Sequence, residues 1–353
     1  METERIARVT VPFGRGRDRD SEFSLELADA LSQEPDEFRP LVVDNKLDEL
    51  LHRAFVDMDS QSRFDVHRAL FMIYESGFAH PMSTMARHHS TACLIEIKTK
   101  IERAWYDSEL APISAPLEGL PVFQSPALLC DWLVELAHQR TETDHWIRGF
   151  LAEEASESQL KHFLLADAPL NYRFFDALLF AATHYSEAVK SEVARHIWEE
   201  CGNGNSSAAH TRQFSRILTK LGLEECDAPI WKDWRPYAGY NLYLLLGTNR
   251  RHLFKSLGSL AMPELFDPER DEAVIAGLRR IGFADQESIQ YFHTHVVADA
   301  AHGGDWLRGV VCPVATGDPR AAFELGCGAA IRMWAMRQYN EYLADVFKDR
   351  LVS

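Results

Sequence analysis

Apolar residues in this chain recur at three- and four-residue spacing almost from end to end, and strand-like alternation is nearly absent. From about Leu25 to Tyr106, segments such as "RFDVHRALFMIYESGF" and "TACLIEIKTKIERAW" place one apolar stripe on a 3.6-residue period. A chain patterned this way buries its stripes helix against helix, so the expected fold class is all-α. The polar, glycine-containing stretch "TVPFGRGRDRDSE" ends an N-terminal arm, residues 1–22. A helical region follows over 23–110. "APISAPLEGLPVF" holds three prolines and a glycine, which makes 111–125 the linker. Beyond it, helices are expected near 126–139, 144–167, 171–183, 186–200, 206–221, 239–257, 270–280, 286–303 and 318–347. Together they form a bundle over 126–350.

The 353 residues include 37 Lys and Arg against 53 Asp and Glu, a formal charge of −16. Nucleic acid and anionic membranes need basic surfaces, so neither is expected as a partner. Runs such as "YNLYLLLG" are too short to span a bilayer, and the first residues lack the apolar core of a secretory signal. Six scattered cysteines without a CxxC pair read as reduced thiols of a cytoplasmic protein.

Chemistry concentrates in "FHTHVVADAAHGGDW", residues 292–306. On a helix, Asp299 falls about 40° and His302 about −20° from His295, while His293 falls about 160° away. His295, Asp299 and His302 thus share a stripe among small apolar neighbours and offer three metal ligands. Core histidines bonded to neighbouring helices are the plainer alternative, and the HxxxDxxH pattern favours the metal. In "SEVARHIWEECGNGNSSAAHTRQF", Glu200 and His210 lie ten residues apart, about 80° in helical phase, across a glycine-containing break. Glu199 and Glu200 read equally well as a solvated acidic helix end. Asp167, in "LKHFLLADAPLNYRFFDALLFAA", ends an apolar run just before Pro169 and also suits a turn or cap. Spacing alone leaves that choice open.

Together the three stretches resemble the iron-containing redox enzyme family, the haem-oxygenase-like diiron oxidases and oxygenases. That family reads "FLLxEA", then "ELAxNxWDExGxG" followed by a His, then "HxxxDxxH" followed by an aromatic residue. Here the matching text is "FLLADA", "SEVARHIWEECGNG" with His210, and "HVVADAAH" with Trp306, over roughly 126–345. The resemblance implies a haem-oxygenase-like bundle binding two Fe2+ through Asp167, Glu200, His210, His295, Asp299 and His302. Asp167 departs from the family's Glu and is shorter by one methylene. Glu154 is the alternative carboxylate, and Glu192, eight residues before Glu200, is an outer partner or extra ligand.

The resemblance further implies an oxidoreductase that uses dioxygen as cosubstrate and an external electron donor. Its substrate would be a small molecule, with an amino acid or amine ranked above a fatty acid, and the outcome N-oxygenation, desaturation or C–C cleavage in specialised metabolism. Arg332, on an otherwise apolar stretch, is suited to a substrate carboxylate. Tyr240, Tyr243, Asn249, Arg250 and Arg251 are further candidates for the pocket lining. A metal-independent binding or hydrolytic protein of the thiaminase-like type is the alternative reading. The N-terminal region carries no chemical motif, and a lid or homodimer contact is open to it.

Overall fold

The computed structural model describes residues 23–35, 45–183, 186–223 and 230–349, with the backbone alone for 140–143, 297–301 and 348–349. The expected arm at 1–22 and Cys226 lie outside the described residues. Among those residues there are helices and no strands. In chain order the first helices are α1 (Phe23–Ser32), α2 (Lys46–Phe55), α3 (Ser60–Ser76), α4 (Thr84–His88) and α5 (Ala92–Trp105). The short α6 (Ala111–Ser114) precedes α7 (Pro126–Thr143), α8 (His145–Gly149), α9 (Glu157–Ala181), α10 (Glu187–Glu200) and α11 (His210–Lys220). The last five are α12 (Trp234–Thr248), α13 (Leu253–Arg280), α14 (Gln286–Trp306), α15 (Cys312–Gly317) and α16 (Pro319–Asp349).

The chain divides into two compact units, Met1–Ile113 with Cys226–Leu245, and Ser114–Glu225 with Leu246–Ser353. In the first, Asp65 accepts hydrogen bonds from the backbone N–H groups of Phe23 and Ser24 at 2.8 and 2.7 Å. A buried carboxylate thereby satisfies the orphan donors at the start of α1, where the helix dipole also favours it. Buried His67 is packed edge-on to Trp105 and stacked on Trp234. Burial holds its pKa well below the ordinary value, with the Arg63 charge adding to the effect. Asn241 donates to the His67 carbonyl at 2.8 Å, and the Tyr240 hydroxyl donates to Glu75. The segment ending at Leu245, expected in the C-terminal bundle, is thus held in this unit by specific polar contacts, and Tyr240 is engaged there.

In the second unit α13 is the axis, with α14, α16, α7 and α9 packed around it. Gly258 and Gly328 let α13 and α16 touch backbone to backbone: a Cβ on either would fall 1.9 Å from a carbonyl oxygen of the other helix. The helical patterning is confirmed, and three breaks differ from expectation. Pro169 does not end a helix, since α9 runs through it to Ala181. The one backbone bond forfeited is outweighed by the burial of Phe163, Leu164, Tyr172 and Leu178 on the same helix. The break comes earlier, where a π-helical turn at Phe150–Glu154 stops at Ala155 and Ser156 opens α9 with a reciprocal capping box to Gln159. The expected 239–257 helix is interrupted at Arg250–His252, and α13 then passes through Pro263 and Pro268.

Candidate metal centre

The site is built where α10 ends. Glu199 and Glu200 close that helix, a position where the dipole disfavours negative charge, so cations must offset the cost. Arg195 is one, reaching Glu192 Oε1 at 2.6 Å, Glu199 Oε1 at 2.8 Å and Asp305 Oδ2 at 3.0 Å. The chain then reverses through Gly202, Asn203 and Gly204, all at positive φ. At Gly202 only glycine fits: φ is +76° and a Cβ would meet Asn205 O at 2.4 Å. This turn delivers His210 to the first position of α11, facing Glu200.

Two groups of side chains result, each with its ligand atoms within 4.8 Å of one another: Glu200, His210 and His295, and His196, Glu199 and His302. In the first, His210 Nδ1 lies 2.8 Å from Glu200 Oε2, and the rings of His210 and His295 are 4.4 Å apart. His295 Nδ1 is 2.8 Å from the Tyr291 carbonyl. A carbonyl only accepts, so Nδ1 carries the proton and Nε2 keeps its lone pair, as a ligating imidazole requires. Burial, helped by the His210 charge, pushes His295 down to about 4. Burial raises Glu200, but His210, His295 and His302 outweigh it and hold the carboxyl below its ordinary range. Neutral rings and ionised carboxylates are the states in which these groups bind metals.

In the second group His302 Nε2 is 2.8 Å from Glu199 Oε2, and Glu264 Oε2 is 3.6 Å from His302 Nδ1. The His196 ring is tilted against the His302 ring at 4.8 Å and edge-on to Trp306 at 5.1 Å. Its Nε2 is 3.3 Å from Glu192 Oε1. Burial is the main cause of its lowered pKa. Trp306, fully buried, donates its indole N–H to Leu257 O at 3.1 Å and fixes this end of α14 on α13.

Of the expected ligands, the structure brings together Glu200, His210 and His295, and places His302 in the neighbouring group. Asp299 lies on α14 between the two histidines, and its side chain falls outside those described. Asp167 is in neither group. Its Oδ1 accepts a 2.5 Å hydrogen bond from Tyr339, and Arg270 is 3.8 Å from Oδ2. Burial raises its pKa against the pull of Arg270 and Tyr339. Glu154 is exposed on the π-helical turn, a separate element from α9. Glu192 stands beside His196 as an outer carboxylate. Arg332 is buried on α16, and its charge acts on Asp167. Sequence reasoning passed over His196 and gave Glu199 no role beyond a helix end. The signal was present in "HIWEE", where His196 precedes Glu199 by three residues and therefore shares its face.

Comparison with known proteins agrees with this chemistry. Residues 161–336 match the family described as iron-containing redox enzyme. Through that segment, which contains both groups, the chain belongs to the iron-containing redox enzyme family. Its fold is the all-α haem-oxygenase-like bundle. The structure is similar to that of a CADD-like protein of unknown function from Nostoc punctiforme, with a TM-score of 0.51 at 16% identity. The match covers 62% of this chain and 97% of that one, a likeness of fold. No curated protein matches the chain significantly. Among the described residues no helix is long and apolar enough to cross a membrane.

The residues present fit iron. Imidazole and carboxylate oxygen suit it, and neither group contains a thiolate. Glu199 Oε2 is buried and accepts no hydrogen bond although His302 Nε2 is 2.8 Å away. Two donor atoms so close without hydrogen-bond alignment are arranged as ligands converging on one point.

Proposed function

We propose that the protein is a non-haem diiron oxygenase or oxidase acting on a small amino acid or amine. The observation that carries this reading is the pair of adjacent His/carboxylate groups on α10, α11 and α14, inside the segment that matches an iron-containing family. Glu200, His210 and His295 would hold one iron. His302 and Asp299 would contribute to the other, as the HxxxDxxH stripe suggests. Bound iron supplies the capacity to reduce dioxygen, with electrons from an external donor.

The chain's own residues set the conditions. The Tyr291 carbonyl fixes the His295 tautomer, and the packing of Trp306, Tyr291 and Phe214 keeps bulk water from the ring ligands. Arg332 would receive a substrate carboxylate, which favours amino acids over unfunctionalised chains. The formal charge of −16 favours a small soluble substrate over nucleic acid.

The test is anaerobic loading with ferrous ion, desalting and iron analysis, followed by oxygen-consumption assays with panels of amino acids, amines and fatty acids. Two irons per chain, with uptake stimulated by a nitrogen-containing substrate, is the expected result. Absence of bound iron would favour the metal-independent thiaminase-like alternative. Stimulation by fatty acids alone would keep the oxygenase and discard the substrate class.

A further inference from the structure

We infer that His196 and Glu199 join His302 in holding the second iron of this chain, with Glu264 behind His302, and that Asp167 is not a ligand. This rests on the diiron reading above and specifies its ligand set.

Three observations converge. His196, Glu199 and His302 bring one ligand atom each within 4.8 Å of the others, and two of the three side chains are buried. Arg195 binds Glu199 through Oε1 at 2.8 Å, which turns Oε2 inward to His302 Nε2, also at 2.8 Å. Glu264, on α13, is 7% exposed, and its Oε2 accepts no hydrogen bond while facing the other nitrogen of His302 at 3.6 Å. A carboxylate removed from water without a hydrogen bond is costly. Its place behind a ring nitrogen is that of the outer carboxylate which orients and strengthens a ligating histidine. Glu192 Oε1 is 3.3 Å from His196 Nε2, a nitrogen that also lies 3.2 Å from Arg195 Nη2.

Asp167 is committed elsewhere. Tyr339 donates to Oδ1, Arg270 faces Oδ2, and Arg332 adds a second cation. Becoming a ligand would mean exchanging a buried, charge-compensated position, shared with Arg270 and the Tyr339 hydroxyl, for the metal. The assignment therefore gives this chain two imidazole–carboxylate groups with neighbouring acids, Glu199 to one and Glu200 to the other.

The test compares wild type with His196→Asn, Glu199→Gln and Asp167→Asn after anaerobic ferrous loading. Iron per chain is measured by mass spectrometry, and folding is checked by circular dichroism and gel filtration. Expected are two irons in wild type and Asp167→Asn, and one in His196→Asn and Glu199→Gln. Loss of an iron in Asp167→Asn, or two irons retained in both other variants, overturns the assignment but leaves the diiron reading intact. One iron in wild type overturns both the assignment and the two-iron reading, and none overturns iron binding altogether. Should a variant fail to fold, anomalous diffraction at the iron edge from loaded wild-type crystals decides directly. A peak in contact with His302, Glu199 and His196 supports the assignment, and a peak in contact with Asp167 refutes it.

Discussion

Replacing Gly202 by alanine probes the turn on which the site depends. The residue sits at φ +76°, and an added Cβ would lie 2.4 Å from Asn205 O and 2.6 Å from both Ala208 C and Ala209 N. Ordinary contact begins at 3.4 Å, so the backbone opposite must retreat by about 1 Å. The left-handed conformation costs about 1–2 kcal/mol and overpacking against backbone about 1–3 kcal/mol. Gly222 supplies the control: its φ is +68°, yet no atom of the described residues lies within 4 Å of its Cβ position. Gly222→Ala should therefore cost only the conformational part, while Gly202→Ala costs about 2 kcal/mol more. The alanine's effect on the unfolded chain is common to both and cancels. Urea unfolding followed by circular dichroism measures the difference, and iron loading supplies a second readout. Retreat at Ala208 and Ala209 drags His210 from Glu200, so Gly202→Ala should also lose iron, and Gly222→Ala should not. Equal destabilisation, or equal iron content, would refute the claim that crowding in this turn sets the His210–Glu200 geometry.

Other outcomes are equally open to measurement. On the proposed assignment His295→Ala should bind about one iron fewer than wild type, since it removes a proposed ligand whose tautomer the Tyr291 carbonyl fixes; unchanged metal content by mass spectrometry contradicts this. His252, buried beside Arg251 and Lys255, is pushed down to about 4 mainly by burial. The unfolded chain thus binds its proton first, and stability falls as pH drops from about 6.5 to about 4, by about 1–3 kcal/mol after allowance for solvent screening. His252→Gln should flatten that part of the pH–stability curve. Asp65→Ala leaves the N–H groups of Phe23 and Ser24 without their carboxylate and should cost about 1–3 kcal/mol in thermal or urea unfolding. The thiols of Cys130 and Cys312 lie 3.0 Å apart, so the two-electron oxidant diamide should join them with loss of two hydrogens, and Cys312→Ser should abolish the mass change.

The helical class and the His295–His302 stripe were legible because both are local, set by a period that the sequence displays directly. The Glu200–His210 pairing was legible only as a phase across a break. The positive φ of Gly202 and Gly204 turns that phase into contact. His196 was obscured for a different reason: its partners, His302 and Glu264, come from α14 and α13, and no local spacing reports them. Asp167 shows the converse, since its neighbours Tyr339 and Arg270 lie 172 and 103 positions away along the chain. Pro169 misled because a broken backbone bond is visible in sequence and the packing that outweighs it is not. The placement of Tyr240 and Asn241 beside Glu75 and His67 was likewise decided by polar contacts between distant segments.

The histidines of both groups are gripped by other rings. His196 abuts Trp306, whose indole is tethered to Leu257, and His295 lies 4.3 Å from Tyr291, whose hydroxyl donates to Asn171. These contacts are hydrophobic and hydrogen-bonded and involve no ion. They predict an order of assembly, in which the helices pack before iron is bound and iron then enters as an exchangeable guest. That order is the reverse of a zinc finger, whose chain is unfolded until its metal arrives. A chelator should accordingly strip iron without melting the helices, and the same molecules should take it up again when it is returned.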